Sequence, residues 1–171
     1  MCNMRWTLYK MDMRLTWVPI GIAAGVAVFL GLFGGLMTPI DRWYHDLRKP
    51  ALQPPNWLFG PAWTIILGLA AWSAVIAWNA APDPAARITV ILLFTTNALF
   101  HALWSPLFFR LQRPDWALVE VVFLWASLVA LVVGLWPIAH AASWLIVPYL
   151  AWVSFAAWLN SAIVRLNRPF A

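Results

Sequence analysis

Five long apolar runs, nearly free of charge and closed by prolines or arginines, leave this 171-residue chain few ways to fold. They cover about Trp17–Met37, Pro61–Ala80, Ala85–Phe109, Asp115–Trp136 and Ala141–Leu166. A run of about 20 apolar residues is what a helix needs to cross a bilayer. The chain is 64% hydrophobic and only 10% charged, against about 45–50% and about 25% in a soluble domain. The expected fold is therefore all-α, an integral membrane bundle of five transmembrane helices. It forms a single domain over residues 17–167, with a short N-terminal segment at 1–16, a loop at 39–60 and a tail at 168–171. Connections after the first are a few residues long, so consecutive helices are expected to be antiparallel neighbours.

The N-terminal charges Arg5, Lys10 and Arg14 before an apolar run resemble a signal peptide, but the run is long and lacks a small-residue cleavage site, so it reads as a retained helix. Met11 and Met13 are alternative starts. Ala23, Ala27, Gly31 and Gly35, and the pair Gly21 and Gly25, recur at four-residue spacing, which makes a helix-packing seam or reflects the glycine usage of membrane helices. Arg5, Lys10, Arg14 and Arg87 fall on one side of the membrane. Arg42, Arg48, Lys49, Arg110, Arg113, Arg165 and Arg168 fall on the other. Lys and Arg favour the cytoplasmic side, which places the first loop and the C-terminus in the cytoplasm.

Several function classes drop out. The net charge of +5 is spread over the ends of apolar runs and makes no stripe, which excludes a nucleic-acid partner. The single cysteine, Cys2, allows neither a disulfide framework nor a Cys-based metal site within one chain. No Ser-His-Asp set, metal-ligand spacing or phosphate loop is present.

The segment Trp43–Trp63 is the one long polar-aromatic stretch, and Pro50, Pro54, Pro55 and Pro61 forbid a continuous helix through it. It is expected to be an ordered, non-helical link. Trp43, Tyr44, Trp57, Phe59 and Trp63 beside Arg42, Arg48 and Lys49 make a sticky, cationic surface. That surface suits a flat, apolar, anionic ligand or the lipid headgroup region, and the plainer alternative is an interfacial aromatic belt. Fourteen tryptophans exceed what interface anchoring needs.

Polar side chains inside the membrane are costly, and so they mark positions of interest. Asn97, His101, Trp104, Ser105 and Phe108 share one face of the third span, which must point into the bundle. Trp144, Pro148, Trp152, Phe155, Ala156, Leu159 and Asn160 share a face of the fifth. With Trp63, these faces line one aromatic cavity with few polar groups, or else Asn97, His101 and Asn160 simply hydrogen-bond between helices. His101 is the only intramembrane histidine and a candidate haem-iron ligand or proton donor, although a lone histidine is more often an interhelical hydrogen-bonding group. Glu120 lies within about two turns of the membrane boundary, where a carboxylate reaches water, and reads as structural.

The motifs Trp43-Tyr44-x-x-Leu47-x-Lys49-Pro50, Pro54-Pro55-x-Trp57-x-Phe59-Gly60-Pro61-x-Trp63-Thr64, Leu103-Trp104-Ser105-Pro106-Leu107-Phe108-Phe109, Pro148-Tyr149-Leu150-x-Trp152 and Leu159-Asn160 together resemble the tryptophan-rich sensory protein family, which includes the mitochondrial translocator protein. The match runs in order over about Trp17 to Asn167. The resemblance implies a five-helix bundle, often a homodimer, that binds porphyrins such as protoporphyrin IX beneath the first loop. It also implies roles in tetrapyrrole-linked regulation, sterol binding or light-dependent porphyrin breakdown. Tyr44, Trp63 and Trp152 match the family's aromatic pocket residues and Ala156 its small ligand-facing residue. Where the family commonly has glutamine and then asparagine on the third helix, this chain has Asn97 and His101, which alters the polar contact and favours a metalloporphyrin over drug-type ligands. Leu159-Asn160-Ser161-Ala162-Ile163-Val164-Arg165 lacks the tyrosine of the animal sterol pattern.

The reading that follows is a membrane tetrapyrrole binder, sensor or carrier, with porphyrin or haem as ligand and no cofactor required. The ligand-binding set is Tyr44, Arg48, Lys49, Trp63, Asn97, His101, Trp104, Trp152, Phe155 and Ala156, the macrocycle stacking on Trp63 and Trp152 with propionates near Arg48 and Lys49. The enzymatic alternative is photo-oxidative porphyrin degradation with Trp63 and Trp152 as electron relays. The third reading is a membrane assembly protein without a native small ligand.

Overall fold

The computed structural model describes residues 2–170, with side chains from residue 17 onward. Cys2 and the basic side chains of Arg5, Lys10 and Arg14 thus lie outside the described side chains. The elements are α1 (Cys2–Leu36), α2 (Arg42–Asp46), α3 (Asn56–Ala80), α4 (Pro84–Ser105), a π-helical turn (Pro106–Arg110), α5 (Pro114–Leu135) and α6 (His140–Asn167). Among the described residues, five helices are long and apolar enough to cross a membrane: Trp17–Leu36 of α1, α3, α4 with its π-turn, α5 and α6. The chain is an integral, multi-pass, all-α membrane protein.

The boundaries follow the start and stop chemistry. Asp83 caps α4, its Oδ1 accepting from the Ala86 N–H at 2.8 Å, and Pro84 occupies the first turn, where its missing N–H is harmless. The second span differs from its expected start at Pro61. Pro55, extended at φ −62° and ψ 145°, precedes a helix that begins at Asn56. Pro61 sits inside α3 on an exposed face, so it removes one backbone donor without displacing the core.

The link is not wholly non-helical either. Asp41 Oδ1 accepts from the Tyr44 N–H at 3.0 Å and caps the short α2 in the proline-free stretch before Pro50.

Around the bundle the order is α1, α3, α6, α5, α4, with α4 returning to α1. The expected pairing of consecutive helices therefore fails at α3 and α4, which touch only sparsely despite their short connection. Instead α3 packs against α1 and α6, and Ser73 Oγ donates to the Ala142 carbonyl at 2.7 Å to join α3 to α6.

Helix α5 sits deepest. Ala117, Val121, Leu124, Leu128, Leu131 and Leu135 recur every three or four residues along one buried face. By contrast, α1 buries only Leu30 within Trp17–Leu36. A Cβ on Gly31 would stand 3.7 Å from Leu67 Cδ1, whereas Gly21, Gly25 and Gly35 face open space, so the small-residue seam meets α3 at one glycine only.

The π-turn has its own consequence. The Leu111 N–H donates to the Pro106 carbonyl at 2.9 Å, an i to i−5 bond that widens the turn. Both Phe108 and Phe109 are buried there, their ring centroids 4.7 Å apart.

Candidate functional site

Tyr44 holds the loop onto the bundle. Its ring is buried, 5.5 Å from that of Phe109, and its hydroxyl accepts from Gln53 Nε2 at 2.9 Å and donates to Asn56 Oδ1 at 3.2 Å. Burial pushes the phenol above its ordinary value of 10.0, with the Gln53 hydrogen bond opposing. Lys49 Nζ lies 4.1 Å from the Tyr44 ring centroid, a cation–π contact. Partial burial lowers that ammonium's pKa, and Asp46 acts in the opposite direction.

Arg48 is fixed through its backbone. Its side chain is exposed, while its backbone is gripped by Asn167 at the end of α6: the Arg48 N–H donates to Oδ1 at 2.8 Å, and Nδ2 donates to the Arg48 carbonyl at 2.8 Å.

A second aromatic group lies deeper, between α3, α4 and α6. The Trp63 ring centroid is 4.9 Å from His101, 5.9 Å from Tyr149 and 6.3 Å from Trp152, all edge-on. The Tyr149 hydroxyl and His101 Nδ1 are hydrogen-bonded at 2.7 Å. Trp152 continues to Phe155 at 6.0 Å and to Phe59 at 5.8 Å, and Phe59 also packs on the cluster around Tyr44. These rings pack on one another rather than around one enclosed cavity. The open space beside them is an apolar groove of about 500 Å³ on the outside of α3 and α6, lined by Ala62, Ile65, Pro148, Ala151, Trp152 and Phe155. A second depression, about 420 Å³ and lined by Trp43, Asp46, Leu47, Gln112, Asn167 and Phe170, lies at the loop end.

Trp63, His101, Trp152 and Phe155 are thus brought together, with Ala156 half-buried one turn along α6. Asn97 lies beside this group, its carboxamide within hydrogen-bonding reach of the Tyr149 hydroxyl, and Trp104 stands apart. Asn97 is buried and donates to Ser127 Oγ at 2.9 Å, an interhelical bond. Trp104 stacks on Phe108 at 5.1 Å and packs on both the deep core and the cluster under the loop. Asn160 also bonds between helices, its amide oriented to donate to the Pro114 carbonyl at 3.0 Å and to accept from the Leu118 N–H at 3.1 Å.

Two further expectations change. Trp144 is 62% exposed, because the buried face of α6 runs through Ile146, Tyr149 and Val153. Glu120 is only 7% exposed, and neither carboxylate oxygen has a hydrogen-bond partner among the described residues, so it does not reach water.

The TspO/MBR family profile matches residues 22–166. The chain belongs to this family. It is 38% identical over 149 residues to the tryptophan-rich protein TspO of Archaeoglobus fulgidus, covering 85% of this chain and 95% of that one. To the tryptophan-rich sensory protein of Cereibacter sphaeroides it is 34% identical, covering 81% and 85%. To the human translocator protein it is 30% identical, covering 88% and 91%. In this TspO/MBR chain the site residues that helical periodicity does not single out are Tyr149 and Asn167. Tyr149 belongs to the Pro148-Tyr149-Leu150-x-Trp152 motif but lies off the helical face that runs through Trp152.

Proposed function

We propose that this TspO/MBR protein binds a tetrapyrrole and acts as a sensor or carrier for it. The carrying observation is the position of Trp152 and Phe155: both line an apolar groove open on the outside of the bundle, with Trp63 edge-on behind Trp152. A flat macrocycle dissolved in the bilayer can reach these rings laterally, and burial of aromatic surface supplies its affinity. The names of two relatives, a sensory protein and a translocator protein, agree with sensing or carriage. Lys49 and Arg48 supply the only Lys or Arg charge between Arg42 and Arg87, suited to propionates at the wet end. Their shared end of the bundle also carries Arg42, Arg110, Arg113, Arg165 and Arg168, which favours a cytoplasmic loop and C-terminus. A homodimer is the assembly proposed from family resemblance. Haem remains a candidate ligand, with His101 Nδ1 engaged by Tyr149 and Nε2 the ring nitrogen left for iron.

The test is a dark titration with protoporphyrin IX and with an uncharged analogue, read by tryptophan quenching and the Soret band. Lys49→Ala and Arg48→Ala should weaken the dicarboxylic porphyrin about tenfold each, the loss of one charge-assisted contact, and leave the analogue unchanged. Equal losses for both ligands overturn the propionate assignment. Absence of saturable binding overturns the tetrapyrrole reading and leaves an assembly role.

A second reading is favoured by the edge contact of Trp63 and Trp152: light-driven oxidation of the bound porphyrin with these indoles as electron relays. Trp63→Phe and Trp152→Phe should retain binding and lose photodegradation. Degradation at the parent rate in both variants removes that reading.

A further inference from the structure

We propose that Tyr149 and His101 form a proton-coupled relay that takes an oxidising equivalent off the tryptophans beside the groove. The source of that equivalent rests on the photo-oxidative reading above; the relay itself rests on geometry. Trp152 lines the groove, Trp63 touches Trp152, and Trp63 in turn lies edge-on to both His101 and Tyr149.

The two kinds of side chain differ in where a proton can go. The indole Nε1 of Trp152 is buried with no hydrogen-bond acceptor among the described residues, so an oxidised Trp152 keeps its proton and remains a strong oxidant. A phenol loses its proton when it loses an electron, and inside a membrane protein only a base already in contact can accept it. Tyr149 is 1% exposed, and its hydroxyl meets such a base, His101 Nδ1, at 2.7 Å.

The step balances as follows. The photoexcited tetrapyrrole takes one electron from Trp152 or Trp63, leaving an indole radical cation. Tyr149 returns one electron to the indole, and its hydroxyl proton moves to Nδ1 of neutral His101 in the tautomer the relay requires, with the ring's own hydrogen on Nε2. The products are neutral tryptophan, a Tyr149 phenoxyl radical and a His101 imidazolium. The reduced tetrapyrrole holds the electron.

The experiment is flash oxidation of the full chain in lipid nanodiscs, with a ruthenium polypyridyl sensitiser plus an electron acceptor in one arm and protoporphyrin IX in the other. Transient absorption and electron paramagnetic resonance distinguish indole from phenoxyl radicals. In the parent chain the indole radical should decay into a phenoxyl radical, more slowly in D2O. Tyr149→Phe should leave a long-lived indole radical. His101→Asn keeps a hydrogen-bonding group but removes the base, and should slow phenoxyl formation about 100-fold.

The relay is overturned by a phenoxyl yield unchanged in Tyr149→Phe, by an unchanged rate in His101→Asn, or by the absence of a deuterium effect in the parent. The last readout needs no variant to fold. Phenoxyl formation with ruthenium but not with porphyrin upholds the relay and defeats the tetrapyrrole as its oxidant.

Discussion

Asn167→Ala should release the first loop without unfolding the bundle. The carboxamide makes two hydrogen bonds to the backbone of Arg48, both 2.8 Å, across 119 residues of sequence, and a third to the Ile163 carbonyl within its own helix. The third bond bears on α6 alone; the two to Arg48 hold the loop. At about 1 kcal/mol net for each, their loss lowers the free energy of loop opening by about 2 kcal/mol, an increase of about 30-fold in the open population. Hydrogen exchange in detergent or nanodiscs reads this directly. The useful probes are the amides of Tyr44, His45 and Gln53, whose acceptors are Asp41 Oδ1, the Asp41 carbonyl and the Pro50 carbonyl. None of those acceptors is touched by the substitution. Their exchange should quicken about 30-fold, while amides in the middle of α5, whose exchange follows global opening, stay unchanged. A change of less than about 3-fold at the loop amides refutes the clamp, because local opening would then be set by other contacts. Equal acceleration in α5 refutes it too, since the substitution would then act on the whole bundle.

Alkaline pH should loosen the same loop. Burial raises the Tyr44 phenol above 10.0, so the folded loop prefers the neutral form; the resulting stability is present below pH 10.0 and is lost as pH rises through the folded value. Loop proteolysis should therefore increase above that pH in the parent, and Tyr44→Phe should abolish the pH dependence while starting from a weaker loop. Within the membrane, Ser127→Ala leaves buried Asn97 Nδ2 without its acceptor and should destabilise the bundle by about 1 kcal/mol, with Asn97→Leu in the same chain restoring part of the loss. Thermal unfolding of the single and double variants checks it, and additive losses argue against the pairing.

Much of the architecture was legible because the bilayer leaves little choice. The five spans were placed to within a few residues of the helices observed, except that α3 begins at Asn56, where Pro54-Pro55 rather than Pro61 sets the start. The inward face of α4 was legible as well: Asn97 and Phe108 are buried, as 3.6-residue periodicity requires. The same rule fails at the next residue. The π-turn over Pro106–Arg110 rotates the register so that Phe109 also turns inward, and apolar periodicity gives no sign of the extra residue. On α6 the face through Trp152 and Phe155 borders the groove and runs on to buried Leu159 and Asn160, and Trp144 at its start turns outward. Bulk alone does not mark the inside of a membrane bundle, where indoles such as Trp144 are equally at home in lipid.

The remaining failures share one cause: each depends on a partner far away in sequence. Glu120 lies near a helix end, which suggests hydration, yet α5 is the deepest helix and its first turns are covered. Asn160 on α6 reaches the Pro114 carbonyl and Leu118 N–H of α5, and Phe109 and Ala117 join the cluster beneath Tyr44. A carboxylate two turns into any of the outer helices would meet water or headgroups. On α5 it meets protein. Arg48 shows the converse: besides any use of its charge, the structure holds its backbone, which is chemically the same at every residue type other than proline. The specificity of that contact resides in Asn167, whose carboxamide offers both a donor and an acceptor to the backbone of one residue. The loop is consequently held by a residue at the far end of the domain, and any ligand contact made by Lys49 inherits its position from the end of α6.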